Sequence, residues 1–206
     1  MGWCDFFPSI RMNFSEWQSI AGMAAGVLYV VAFVPYVLAI LQGKAKPSRI
    51  TWFIGSMLNG IAVFSSVSLG AQNTLWMMSA SMIGSFSVFL LSLRYGQGGG
   101  SRLDKFLILA AGAVAIVWAS SGLPLIAQLS ISVLVLFAAI PTIRIAYKTP
   151  ELESRLTWFF FTLSCIVNFL SIERWTLGII TNPIVSFTVD VTVLALLLRR
   201  TARTSS

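Results

Sequence analysis

Few side chains in this sequence are equipped for chemistry, and those few stand far apart. There is no histidine, which removes the commonest general base and the commonest metal ligand. The two cysteines, Cys4 and Cys165, are remote from each other, so neither a disulfide nor a metal cluster is expected. No paired carboxylates accompany them, and no catalytic constellation can be assembled; the sequence predicts a non-enzyme without a cofactor. Asp190 differs in kind. It is the only ionisable residue well inside an apolar run, where a carboxylate costs at least ~2.5 kcal/mol if that run crosses a bilayer. Two arrangements would offset the cost. One is an ion pair with Arg144, and the other is a water-filled cavity where Asp190 holds a proton or meets a cationic group. Asn59 and Asn168 also lie inside apolar runs. Such amides join membrane helices at about 0.6 kcal/mol each, or they face a solute.

The elements that must position these residues are membrane helices. Hydrophobic residues make up 57% of 206 positions and charged residues 10%, against about 25% in ordinary globular domains. Neither Ile50–Leu93 nor Phe106–Ile143 contains an Asp, Glu, Lys or Arg. A spanning helix needs roughly 20 apolar residues, so each run holds two spans. Seven spans are predicted: Ile20–Leu41, Ile50–Val67, Thr74–Leu93, Phe106–Leu123, Leu125–Ala146, Leu156–Ile172 and Thr176–Leu198. Of the fourteen Lys and Arg residues, this arrangement puts Arg11 and Arg174 on one side and the other twelve on the opposite side. Positive loops stay in the cytoplasm, which predicts a multi-pass protein of the cell (inner) membrane with its N-terminus outside. The net charge of +7 therefore belongs to short loops beside lipid headgroups, not to a nucleic-acid face. The N-terminus lacks the basic start and cleavage site of a signal peptide, so the first span is expected to remain. Lys44, Lys46, Lys105 and Lys148 all lie between spans, which leaves no membrane lysine for a retinal Schiff base.

Sliding the sequence against itself by 106 residues aligns its two ends without a gap. Pro35 falls on Pro141, Ala32 on Ala138, Arg94 on Arg200, and Ser48-Arg49-Ile50-Thr51-Trp52-Phe53 on Ser154-Arg155-Leu156-Thr157-Trp158-Phe159. Such an offset marks an internal repeat. The expected fold is all-α: one membrane domain over 1–206, with three-helix units at 17–94 and 123–200 and a linker helix at 105–123. Parallel repeats of this kind build transporters, with the solute near mid-membrane between the halves.

A proline near the inner end of the first helix, a basic loop, then Ser-Arg entering the second helix resembles the PQ-loop superfamily, which includes the SWEET sugar transporters. The motif covers Val34–Phe53 and Ile140–Phe159, and the layout of three, one and three helices is similar over nearly the whole chain. Tyr36 and Thr142 stand where that family's glutamine follows the proline. Ser81 and Phe187 stand nearest to the asparagines that SWEET proteins carry in the third helix of each unit. The chain resembles a divergent bacterial branch more than a SWEET, and the resemblance does not extend to sugar as the solute. It implies alternating access, with Pro35, Tyr36, Pro141 and Thr142 at the inner gate. The repeat also pairs Trp76 with Asn182, an aromatic and an amide that would suit a small polar solute if both face inward. Trp52 and Trp158 are expected to be interfacial anchors. The alternatives are a seven-helix receptor or an assembly subunit on the same fold, and a homo-oligomer is left open.

Overall fold

The computed structural model describes residues 14–44, 47, 49–96, 102–150 and 153–199, with backbone alone at 14, 15, 51, 103, 104, 118, 121 and 141. Arg11, Lys46, Arg200 and Arg203 lie outside the described residues, and so does the side chain of Pro141. Among the described residues seven helices follow in order: α1 Phe14–Leu41, α2 Arg49–Ser68, α3 Leu75–Tyr95, α4 Arg102–Ser121, α5 Pro124–Lys148, α6 Arg155–Phe169 and α7 Leu177–Arg199. No strand occurs among the described residues.

The helix ends follow from local chemistry. Gly43 and Gly70 adopt φ of 70° and 79°, a left-handed conformation that glycine alone takes without steric cost. Each ends its helix by the same pair of bonds, Gly43 N to Ile40 O with Lys44 N to Ala39 O, and Gly70 N to Val67 O with Ala71 N to Ser66 O. These satisfy carbonyls that the last helical turn leaves free. Pro124 begins α5, where its missing N–H is no loss. The Ser154 hydroxyl accepts from Thr157 N at 3.3 Å and caps α6.

Four helices (α1, α3, α5 and α7) are long and apolar enough to cross a membrane. α2 and α4 hold shorter apolar stretches, and α6 has only 15 residues. Large apolar side chains such as Val27, Phe64, Leu109 and Ile116 face outward, an arrangement that suits lipid better than water.

α3 packs on both α1 and α2, and α7 packs on both α5 and α6. α1 lies along α6, α2 lies along α5, and α4 rests on α5 and α2. Small residues allow the closest approaches. A Cβ at Gly26 would sit 3.0 Å from the Trp76 carbonyl oxygen, so α1 and α3 touch nearly backbone to backbone. Ile54, Leu58, Met78, Leu107 and Ile131 fill the space between α2, α3, α4 and α5. A separate aromatic column joins α1, α2 and α6. Phe33 meets Phe161 at 5.2 Å and Trp52 at 6.2 Å between ring centroids, and Phe161 meets Tyr29 at 4.5 Å and Trp158 at 5.8 Å.

The two ends of the bundle differ. At one end gather Lys44, Arg49, Arg94, Arg102, Lys148, Arg155 and Arg199, carried by helix ends and the segments between them. Arg49 donates there to Ser92 O (3.1 Å) and Gly96 O (3.3 Å), and Arg199 lies 4.7 Å from the Tyr147 ring centroid. The opposite end is closed by polar bonds from the segment after α6. Gln18 Nε2 donates to Ile172 O at 3.0 Å, Asn73 N donates to Glu173 Oε1, and Arg174 Nη2 donates to Gly70 O.

Candidate solute site

A small cavity lies inside the bundle, walled by Tyr29 of α1, Asn59 and Ala62 of α2, Met77, Met78 and Ser81 of α3, and Asn182 and Ser186 of α7. About 10 Å³ is open to the centre of a water molecule, enough for roughly one water. Its chemistry is amide, hydroxyl, phenol and thioether, and no charged side chain lines it. Asn59 Nδ2 donates to Ser85 Oγ at 3.1 Å, which fixes the amide on its wall. Ser81 Oγ donates to the Tyr29 hydroxyl at 3.4 Å. On α7, Asn182 and Ser186 are one turn apart and share a face. Between them the buried Pro183 removes one backbone N–H from the ladder, leaving a carbonyl of the preceding turn without its helical donor.

Of the residues singled out in the sequence, Asn59 and Asn182 meet at this cavity. Trp76 does not. It is 52% exposed on the outer side of α3, and the expectation that it faces Asn182 is corrected. One residue further on is about 100° around the helix, and Met77 is the side chain that turns inward. Asn168 is fully buried but lies off the cavity wall, with Oδ1 3.1 Å from Ser171 Oγ.

The expected ion pair between Asp190 and Arg144 is also corrected. Asp190 is 5% exposed, and Cys165 donates to its Oδ2 at 3.3 Å. Arg144 is exposed. The side of α5 that meets α7 carries Ile143 and Ala146, packed on Val193 and Leu197, which turns Arg144 away from that seam. Asp190 lies beside the cavity rather than on its wall, within electrostatic reach of Tyr29.

At the basic end, Tyr36 rests on Trp52 with ring centroids 5.4 Å apart. Trp52 and Trp158 are half-buried, and Trp158 Nε1 donates to Glu153 Oε2 at 2.9 Å. Burial pushes the Glu153 carboxyl above the ordinary range, and the indole bond opposes that rise. Pro35 and Thr142 are half-buried in α1 and α5.

Tyr29, Met77, Met78, Ser186 and Pro183 join the site without having been singled out. For Tyr29 the signal was a hydroxyl in mid-span, and for Pro183 a proline next to Asn182. Nothing in the sequence distinguished the two methionines. No protein-family model matches the chain, and neither a curated protein nor a solved structure matches it.

Proposed function

We propose that the chain is a small-solute membrane transporter that works by alternating access between two three-helix units. The observation that carries this reading is the cavity. Amides and hydroxyls from α2, α3 and α7 face one small space among apolar helices, and polar groups drawn into such surroundings are costly unless something answers them. The aromatic column separates the cavity from the basic end, and the polar bonds of Glu173, Arg174 and Gln18 separate it from the other. Such an arrangement fits an occluded state.

Two observations support the repeat. The helix contacts map onto themselves when α1, α2 and α3 are exchanged with α5, α6 and α7: α1·α3 becomes α5·α7, α2·α3 becomes α6·α7, and α1·α6 becomes α5·α2. Ser65 and Ser171, paired by the sequence offset, each donate to the carbonyl three residues earlier, Ala62 and Asn168. On this reading the chain is a divergent PQ-loop or SWEET-type protein, its basic end is cytoplasmic, and α4 returns the chain so that both units share one orientation. Pro35 and Pro141 are the bends through which the basic end opens.

The uncharged wall suits a small, polar, neutral solute. The test is counterflow in proteoliposomes against a panel of sugars, amino acids, nucleosides and vitamins. Asn182→Leu and Asn59→Leu should each slow exchange about tenfold or more while leaving the protein folded, and Pro35→Ala should slow it by stiffening α1. Exchange that is undiminished in both asparagine variants would remove the cavity from the transport path.

A further inference from the structure

α5 and α7 are both long and apolar enough to cross a membrane, and they pack together with their C-termini at the basic end. Their inner contact sets Ile143 and Ala146 on Val193 and Leu197. Outside this seam each helix keeps an exposed stripe. On α5, Val133, Leu136, Ile140, Arg144 and Tyr147 are exposed at intervals of three and four residues, which is one face of a helix. On α7, Ile184, Thr188, Ala195 and Arg199 are exposed at intervals of four, seven and four, again one face. Both stripes are uncharged along the helix and turn cationic only near its end.

One ring contact joins the two stripes. The Arg199 guanidinium carbon lies 4.7 Å from the centroid of the Tyr147 ring, so the exposed face of α7 reaches that of α5 across the rim of the seam. Arg144 is three residues before Tyr147, one turn back on the same face. The ring therefore neighbours two guanidinium groups, one from each helix. The rest of the paired faces offers a lipid no hydrogen bond, since Thr188 donates its hydroxyl to Ile184 O at 2.7 Å. Together they make an apolar strip that ends on two cations.

Depth sets the character of the ligand. α5 has 25 residues and α7 has 23, which at 1.5 Å each rise about 37 and 35 Å. The hydrocarbon core is roughly 30 Å thick, so the last turns emerge at the level of the headgroups. Among the described residues Arg144 has neither a hydrogen bond nor an ion pair. Arg199 is engaged over the Tyr147 ring, and stacking of this kind leaves its in-plane N–H donors free. Such donors match a phosphate bidentately. Glu153, at this same end, has its carboxylate on the Trp158 indole instead.

We infer that Arg144, Tyr147 and Arg199 hold the headgroup of one anionic glycerophospholipid, whose acyl chains lie along the apolar strip of α5 and α7. Basic positions between membrane helices recognise such headgroups, and here an aromatic ring fixes one of the two charges. A soluble phosphate would meet the same donors but would leave the strip unmatched, so the lipid is the occupant. The inference requires a membrane around α5 and α7 and does not depend on transport.

The test titrates phosphatidylglycerol or phosphatidylcholine into the full chain in a neutral detergent, with bound lipids counted by native mass spectrometry. The first phosphatidylglycerol should bind at least about tenfold more tightly than phosphatidylcholine with the same acyl chains. Arg144→Gln and Arg199→Gln should each weaken it about fivefold. Both side chains are exposed, so both variants should fold. Arg94→Gln removes the same charge from the same end, on α3, and should change the affinity less than about twofold. Equal losses in all three variants would reduce the effect to general attraction by the basic end and overturn the inference. So would the lack of any preference for phosphatidylglycerol. Displacement of the lipid by millimolar inorganic phosphate would make the occupant a free anion, and would overturn it as well.

Discussion

Gly84→Ala isolates the contact between α1 and α3 at the aromatic column. A Cβ at Gly84 would come within 2.7 Å of three carbons of the Phe33 ring. Carbon atoms rest at about 3.5–4.0 Å, so the ring would have to withdraw by roughly 1 Å. Phe33 has little room to do so: Phe161 and Trp52 stand against it edge-on at 5.2 and 6.2 Å, and Tyr29 is 5.8 Å away. Forcing a methyl group into a filled core of this kind costs about 1–3 kcal/mol. Unfolding in mixed dodecyl sulfate micelles, followed by tryptophan fluorescence, would measure it. The companion variant is Phe33→Leu, which removes the obstructing ring edge. Combined with Gly84→Ala it should show a favourable coupling of about 0.5–3 kcal/mol, because the two changes share one contact. A cost for Gly84→Ala below about 0.5 kcal/mol, or strict additivity in the double variant, would refute the claim that Phe33 is wedged.

Three further outcomes are expected. Burial holds the Glu153 carboxyl above its ordinary value, so the folded protein keeps that proton to higher pH than the unfolded chain. The resulting stability is present below about pH 4.3, the unperturbed value, and is lost as pH rises through the raised one. Glu153→Gln should flatten this slope in thermal unfolding between pH 4 and 7, and an unchanged slope would exclude Glu153 as its source. Asp190→Asn should leave the protein folded yet make solute exchange independent of pH if the carboxylate carries a proton. The same variant with pH-dependent exchange intact would reduce Asp190 to a packing partner of Cys165. A single cysteine at the exposed Gln72, in a background without Cys4 and Cys165, should react with an impermeant maleimide from outside the cell, and labelling only from the cytoplasmic face would reverse the proposed orientation.

What the sequence disclosed was one-dimensional. Long uncharged runs gave seven helices, and Gly70, Gly122 and Pro124 marked breaks where the chain does turn. Asn59 could be picked out because an amide is conspicuous among apolar neighbours, and Asn182 because the repeat pairs it with Trp76; both reach the cavity. The rotation of each helix was not legible. In a soluble helix the polar face reveals which side is inward, but the serines of α3 (Ser79, Ser81, Ser85 and Ser87) are spread around it and mark no single face, so Trp76 and Met77 had equal claims on the interior. The partner of Asp190 was hidden for a related reason. Arg144 stood out by its charge, whereas Cys165 reads as one more apolar residue of α6 until the helices are brought together.

The shortness of α6 bears on the lipid around it. Its 15 residues rise about 22 Å at 1.5 Å each, against a hydrocarbon thickness of roughly 30 Å, while α1 beside it has 28 residues and exceeds that thickness. On the proposed seven-span reading, the outward Leu156, Phe159 and Ile166 of α6 meet acyl chains directly. A bilayer of uniform thickness cannot match both neighbours at once. Either the membrane pinches inward along this one flank or α1 leans to shorten its span, and each costs a fraction of a kcal/mol per Å of mismatch. On that reading the seam between α1 and α6 works against the elasticity of the membrane, and acyl-chain length becomes a variable of the protein's own energetics.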